Sequence, residues 1–329
     1  EKTLFFLDEA AAIALKQATI ELAAAGLLKD AKCGHYGNKK LWYKESLDTK
    51  AMCQKLPSPC YPITLADRPQ NEDEIKDNLV SFFTPAFNSY IATFNEKITI
   101  LPKIPENNYR TFKLTNKDGN TQLVAIAEQP ITISKSEAGV SLQYEVKPSF
   151  AATLEANIVE DARQLVGFAQ SLVGKKKGEA EQTVQAFSAS GNLEVTEFTF
   201  NEKEEKCPYI KLKLDGTPES CACCETQFEP CKEIEEMGNC VPGEVQRRVE
   251  DGIVQVEVPY FEYSMPLSAK VKDGSYRKGY KEFFVYDERA KIVVAKPLSY
   301  QFAVSWIKDV PEDEKKHCIC SRGQECPKS

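Results

Sequence analysis

The chain has 329 residues, of which 42% are aliphatic, aromatic or cysteine and 28% are charged, with a formal net charge of −7. That length accommodates about two or three domains, and that apolar content excludes disorder by composition. Both signs of charge are mixed along the chain, which argues against nucleic acid or an anionic membrane as the main partner, and no stretch reaches the roughly 20 unbroken apolar residues of a spanning helix.

The first residue is Glu rather than Met, as expected of a chain that lost an upstream leader or membrane anchor, or of a piece cut from a longer one. Residues 4–28, "LFFLDEAAAIALKQATIELAAAGLL", predict a helix that Gly26 helps to end. Phe6, Ile13, Ile20 and Leu27 repeat along one line, Leu4, Ala11, Ala18 and Ala25 follow one face over, and Leu15 and Leu22 lie between. Apolar and Ala positions cover more of the circumference than one core-facing stripe requires. Such a helix is either central in its own domain or partly covered by a neighbouring subunit.

A cysteine-bearing loop is expected next, "AKCGHYGNKKLWYKESLDTKAMCQKLPSPCYP". Its segment from Cys53 to Cys60 is closable because its prolines favour a turn. A second helix is predicted over about residues 71–94, opened by acidic residues. Its core face is Ile75, Leu79, Phe82, Phe83, Phe87 (or Ala86), Tyr90, Ile91 and Phe94, with a kink expected at Pro85. From Ile98 the period becomes that of strands. "YRTFKLTNKDGNTQLVAIAE" predicts a hairpin turning at Asp118-Gly119, and "QPITISKSEAGVSLQYEVKP" predicts another. Leu154, Ile158, Ala162, Leu165, Ala169 and Leu172 then share a helical face that would cover one side of a sheet. Lys175-Lys176-Lys177 reads as a solvated turn tip, with a shorter helix near Glu179–Phe187. Strands return in "NLEVTEFTF", "PYIKLKLDG", "GIVQVEVPYFEYSM", "PLSAKVKDG", "KEFFVYDERAKIVVAKP" and "LSYQFAVSWIK".

The expected fold class is therefore α+β: N-terminal helices packed with largely antiparallel sheet, and a disulfide-stapled loop insertion. The expected organisation is a helical region with a cysteine loop (1–96), β-hairpins with a covering helix (97–191), a β-rich domain (192–317) with a cysteine-rich insertion at 207–245, and a cysteine-bearing tail (318–329).

The twelve cysteines are Cys33, Cys53, Cys60, Cys207, Cys221, Cys223, Cys224, Cys231, Cys240, Cys318, Cys320 and Cys326. They fall in three groups, all in sequence that reads as loop. Cys221-x-x-Cys224 has the spacing of a zinc knuckle, but the second knuckle of a tetrahedral site is missing. Thiol redox catalysis would need a helix N-terminus and a βαβ context, whereas "ETQFEPCKEIEE" follows. An even count in loops fits structural disulfides and an oxidising compartment best. The twelve are assigned as structural disulfides, with a metal at the 207–240 cluster as the competing reading.

Catalytic signatures are scarce. The histidines are His35 and His317, both in cysteine loops and neither in an HExxH motif. There is no GxSxG elbow and no GxGxxG after a strand. "GFAQSLVGKKKG" has the wrong glycine spacing for a phosphate loop. Asn116–Asn120 lacks the further ligands of a calcium loop and reads as a hairpin turn. No catalytic, cofactor-binding or metal-ligating residue is assigned, and a non-enzymatic protein is expected.

The order of an Ala/Leu-rich helix, "CGHYGNKKLWYKE", "CYP" and the helix "NLVSFFTPAFNSYIATF" resembles the start of uncharacterised membrane-anchored or secreted surface proteins of small-genome archaea. The resemblance covers about the first hundred residues and rests on Cys33, Gly34, Trp42, Cys60, Tyr61 and Pro62 with the flanking helices. It implies a cell-surface setting and carries no active residues. Asp8, Glu9 and Lys16 interrupt the first helix, unlike the long apolar helix that opens archaeal pilins. Together these readings lead to an extracellular structural protein that self-assembles, through the N-terminal helix or an edge strand, into a surface filament, sheath or layer. A monomeric adhesin or binding ectodomain using the cysteine-rich loop is the alternative, and a metal-binding enzyme ranks third.

Overall fold

In the computed structural model, residues 2–48, 54–56, 60, 70–98, 101–117, 119–137, 140–213, 232–234, 239–241, 246–250, 253–273, 279–287 and 292–308 are described. Their helices are α1 (Lys2–Ala24), α2 (Gln70–Lys97), α3 (Ile158–Leu172) and α4 (Lys177–Ser190). The first strands are β1 (His35–Tyr36), β2 (Lys39–Lys44), β3 (Leu47–Asp48), β4 (Gln54–Lys55), β5 (Phe112–Lys117), β6 (Asn120–Ile126), β7 (Ile131–Glu137), β8 (Val140–Val146) and β9 (Ser149–Leu154). They are followed by β10 (Leu193–Phe198), β11 (Asn201–Lys213), β12 (Lys232–Ile234), β13 (Asn239–Val241), β14 (Gln246–Glu250), β15 (Ile253–Val271), β16 (Glu282–Asp287), β17 (Ile292–Pro297) and β18 (Ser299–Lys308). The class is α+β. The largest sheet runs β1-β2-β18-β15-β10, with β11 and β14 also paired to β15.

The chain divides into two compact units, each drawn from segments far apart in sequence. The first comprises residues 1–42, 61–199 and 266–304. At its centre, α1 packs against α2, β9 and β16. Leu7, Ala10, Ala11, Ala14, Leu15, Ala18, Leu22 and Ala23 are at most 2% exposed, so part of the broad apolar stripe is covered by this chain, while Leu4, Phe6, Ile13 and Ile20 remain half-buried. The alternation of alanine and leucine lets neighbouring elements approach closely while each buried leucine still contributes roughly 1.5–3 kcal/mol. Phe5, 68% exposed, is the large apolar residue that α1 leaves in water. From α2 come Ile75, Leu79, Phe83, Phe87, Ile91 and Phe94, all buried, and the helix runs on through Pro85. Phe83 and Phe87 meet Phe150 of β9 at ring-centroid distances of 5.7 and 5.0 Å, and Phe6 stacks on Phe94 at 4.0 Å.

The sheet β5-β6-β9 supplies the layer under this cluster. Its hairpin turns where expected, with Lys117 opposite Asn120 and Gly119 at φ +79. The strand β9 was hidden in the sequence. Its Phe150, Ala152 and Leu154 alternate inward, but two of the intervening residues are small and the segment runs straight into the α3 pattern. All of Ile158, Ala162, Leu165, Ala169 and Leu172 are buried on α3. Asn157 caps that helix by accepting a hydrogen bond from the Glu160 N–H at 3.1 Å, satisfying one of its free donors.

The second unit comprises residues 43–60, 200–265 and 305–329. Its described part is mainly a ribbon in which β11 pairs β15 from Asn201↔Ser264 to Lys213↔Ile253. The register shifts between Pro208 and Ile210, as a proline without an N–H requires inside a ladder. Tyr263 stacks on Trp306 with centroids 5.5 Å apart, and Glu45 accepts from the Ile307 N–H at 2.8 Å.

Three sequence expectations are corrected. "KKLWYK" is a strand, β2, rather than loop: Leu41, Trp42 and Tyr43 are all buried, so no alternation marks it. "GIVQVEVPYFEYSM" and "PLSAKV" form one continuous strand, β15, since Pro259 and Pro266 fall at positions that do not break it. Cys207 and Cys240 lie in strands, opposite Val258 and Glu233, not in loops. Cys60, whose partner the sequence leaves open, is bonded to Cys33, and its main chain exchanges hydrogen bonds of 2.8 and 3.1 Å with Lys44.

Gly26 ends α1 as expected. Its φ is +66, and the Gly26 and Leu27 N–H groups donate to the Ala23 and Leu22 carbonyls at 3.0 and 2.8 Å. Trp42 Nε1–H donates to the Gly26 carbonyl at 2.8 Å, and its ring stacks on Phe302 at 4.1 Å. A Cβ at position 26 would lie 2.6 Å from the Gln301 carbonyl oxygen. Gly26→Ala therefore combines left-handed strain with overpacking against backbone and should destabilise the fold by about 2–4 kcal/mol. Urea unfolding would show an undiminished midpoint if this contact did not matter.

Candidate functional site

Of the assigned cysteines, Cys33 and Cys60 are disulfide-bonded. Cys53, Cys221, Cys223, Cys224, Cys231, Cys318, Cys320 and Cys326 lie outside the described residues, as does His317; Cys207 and Cys240 are described in backbone position alone. His35 is exposed in β1, opposite Lys40. Among the described residues, no group of three or more His, Cys, Asp or Glu side chains has metal-binding geometry.

Two polar clusters in the first unit bring together groups that sequence reasoning did not single out. Asp161, in the first turn of α3, is 1% exposed. It accepts from the Tyr300 hydroxyl at 2.9 Å and from the Asn192 amide at 3.3 Å. Burial pushes its carboxyl up to about 6, against the opposing pull of those two hydrogen bonds. Tyr300 is pushed far up as well, first by burial and then by the Asp161 charge. The second cluster joins three strands. Ser268 of β15 donates to the Glu197 carboxylate at 2.6 Å, and Lys39 of β2 reaches Ser268 Oγ at 2.9 Å and Glu197 at 3.2 Å. The Ser268 hydrogen bond, followed by Lys39, holds the Glu197 carboxyl below its usual range. A carboxylate so stabilised is a poor base, and Ser268 is 3% exposed. The arrangement ties strands together and does not activate a nucleophile.

The hairpin β16–β17 leaves a large apolar surface of the first unit exposed. Its pairs alternate between two faces, each with apolar residues at its centre. Phe283 and Val285 point inward and are 5% and 4% exposed. On the other face Phe284 pairs with Ala295 and Tyr286 with Val293, and there Phe284, Tyr286 and Val293 are 70%, 42% and 65% exposed. Neither strand pairs with any further strand among the described residues. The signal was present in the sequence: "EFFVYD" and "IVVAK" are apolar at successive positions, whereas a strand with one wet face alternates. No protein-family model matches the chain, and neither the curated proteins nor the solved structures yield a match.

The buried polar groups give two measurable consequences. Below about pH 3 Asp161 is protonated whether folded or not; between its unfolded value of 3.8 and its folded value of about 6 the unfolded chain gives up the proton first. Folding stability contributed at this site therefore falls as pH rises through that window, by up to about 3 kcal/mol. Asp161→Asn should flatten this part of the profile, so that the difference between variant and wild type grows from pH 4 to pH 6.5; a constant difference would refute the assignment. The Tyr109 hydroxyl is buried with no hydrogen-bond partner among the described residues, and burial, with Asp8 second, drives its pKa up. Tyr109→Phe should raise stability by about 1 kcal/mol, measurable as a shift in thermal midpoint.

Proposed function

We propose that this chain is an extracellular structural protein, a self-assembling subunit of a surface filament, sheath or layer held by disulfides. The observation that carries the reading is the Cys33–Cys60 disulfide. Structural disulfides persist in oxidising compartments and are rare where thiols are kept reduced. A solvent-facing apolar surface on the β16–β17 hairpin supports assembly, because contiguous apolar area of that kind mostly marks contact sites. The resemblance of the first hundred residues to archaeal surface proteins points to the same setting. The reading assigns no catalytic residue, and it places the remaining ten cysteines in further bridges.

Intact-mass measurement of native protein after alkylation of free thiols, with and without reductant, tests the compartment. The expected result is twelve protected cysteines and no bound metal by elemental analysis. Alkylation of most of Cys207–Cys240 together with stoichiometric zinc or iron would overturn the structural reading and make that cluster a metal site.

A further inference from the structure

The proposal here rests on the assembly reading and names the surface and the partner. We propose that the outward face of the β16–β17 hairpin, built from Phe284, Tyr286, Val293 and Ala295, packs against the same face of a second copy of this chain. Three observations favour that occupant.

The first is charge. The molecule carries a net charge of −7, so copies repel one another over most of their surface. An isologous contact sets a patch against itself, and any charge in it would meet its own kind. The outward face has none between its ends: Phe284↔Ala295 and Tyr286↔Val293 are uncharged pairs, and Glu282 stands opposite Pro297 only at the base. Lys296 pairs with Phe283 and belongs to the other face.

The second is area. With Phe284, Tyr286 and Val293 70%, 42% and 65% exposed, the face presents roughly 300–400 Å² of apolar surface, the size of patch that is often functional on a monomer. Two such faces together bury about 700 Å², short of the roughly 1,200 Å² of a stable pair. The contact is therefore weak and concentration-dependent, and being isologous it closes with two copies, so a larger assembly joins such pairs through a second surface.

The third is the position of the apolar residues. They occupy the middle of the hairpin, whereas its connection reads Glu288-Arg289-Ala290-Lys291. A hairpin that enters a lipid surface by its tip needs apolar residues there, so a second protein face fits better than a bilayer. Antiparallel sheets stack face to face at about 10 Å, which suits one aromatic layer from each copy.

The test is sedimentation equilibrium of the whole chain, disulfides intact, over a wide concentration range. Phe284→Ser and Val293→Lys are compared with Ile126→Lys, which alters an exposed apolar residue elsewhere (61% exposed). All three positions face solvent, and circular dichroism checks each fold; should one hairpin variant unfold, the other decides. Wild type is expected to associate with rising concentration, both hairpin variants to associate at least about tenfold more weakly, and Ile126→Lys to match wild type. If wild type associates and the hairpin variants do so equally well, this contact is wrong while the assembly reading stands. If wild type stays monomeric throughout, both fail. Binding of monomeric wild type to phosphatidylcholine vesicles, lost in Val293→Lys, would assign the face to lipid and overturn the proposal.

Discussion

The close approach that alanine permits along α1 sets the dimensions of the first unit. Ala10, Ala11, Ala14, Ala18 and Ala23 are all at most 2% exposed, and α2, β9 and β16 draw in around them. Neighbours at that distance can fill the remaining space only with large side chains of their own, and they do. The aromatic rings of α2 and β9 interlock, with Phe87 packing between Phe83 at 5.1 Å and Phe150 at 5.0 Å. Interiors pack as densely as organic crystals, so small residues on one element and large ones on the next are two halves of one requirement. The tight exit of α1 at Gly26, where Trp42 and the Gln301 backbone close in, is the same requirement met at the helix end.

A core that close leaves helix ends to be satisfied from outside. Neither α1 nor α4 carries a basic residue in its last turn, where cations interact best with the exposed carbonyls. At α1 the main chain itself meets the last carbonyls, and Lys40 donates instead to the Leu28 and Lys29 carbonyls of the segment that follows at 2.5 and 2.9 Å; at α4 a distant lysine supplies the charge. Lys272 reaches the Ser188 and Gly191 carbonyls at 2.5 and 2.8 Å at the end of α4. Asp161 shows the converse. Its place in the first turn of α3 suits a carboxylate, and two donors address it, yet desolvation outweighs both and raises its pKa. Position on the helix decides the sign of an interaction, while burial decides whether that sign survives.

The elements legible in the sequence were those whose period was long and clean. The α2 and α3 stripes, the Asp-Gly hairpin of β5 and β6, and the Gly26 stop were all of that kind. What escaped were strands whose surroundings erase alternation. In β2 three successive residues are buried, because Leu41, Trp42 and Tyr43 all lie in packed surroundings. In β9 small residues on the wet side removed the contrast between faces. Connectivity of the cysteines was not legible: the Cys33–Cys60 bond joins residues from two separate segments of the chain, and no spacing rule picks out that pair. The Asp161, Tyr300 and Asn192 cluster was equally hidden, since its members are far apart in the chain and none stands in a motif.

The β16–β17 hairpin carries an apolar face that this chain leaves exposed, which on the proposed reading a second copy covers. One face of β16 is satisfied by packing on α1, so folding alone requires only Phe283 and Val285. Placing Phe284, Tyr286 and Val293 on the opposite face costs solubility and creates an aggregation hazard. The features around that face limit the hazard. The strands are six residues long, Glu282 and Pro297 close the base, and Pro297 has no N–H to extend a ladder. Among the described residues the face is two strands wide and about two cross-strand pairs long, which on the proposed reading limits what can cover it. On the proposed reading, this confinement separates directed pairing from indiscriminate aggregation: the contact is weak, it closes with two copies, and a filament or layer needs a second interface on each copy.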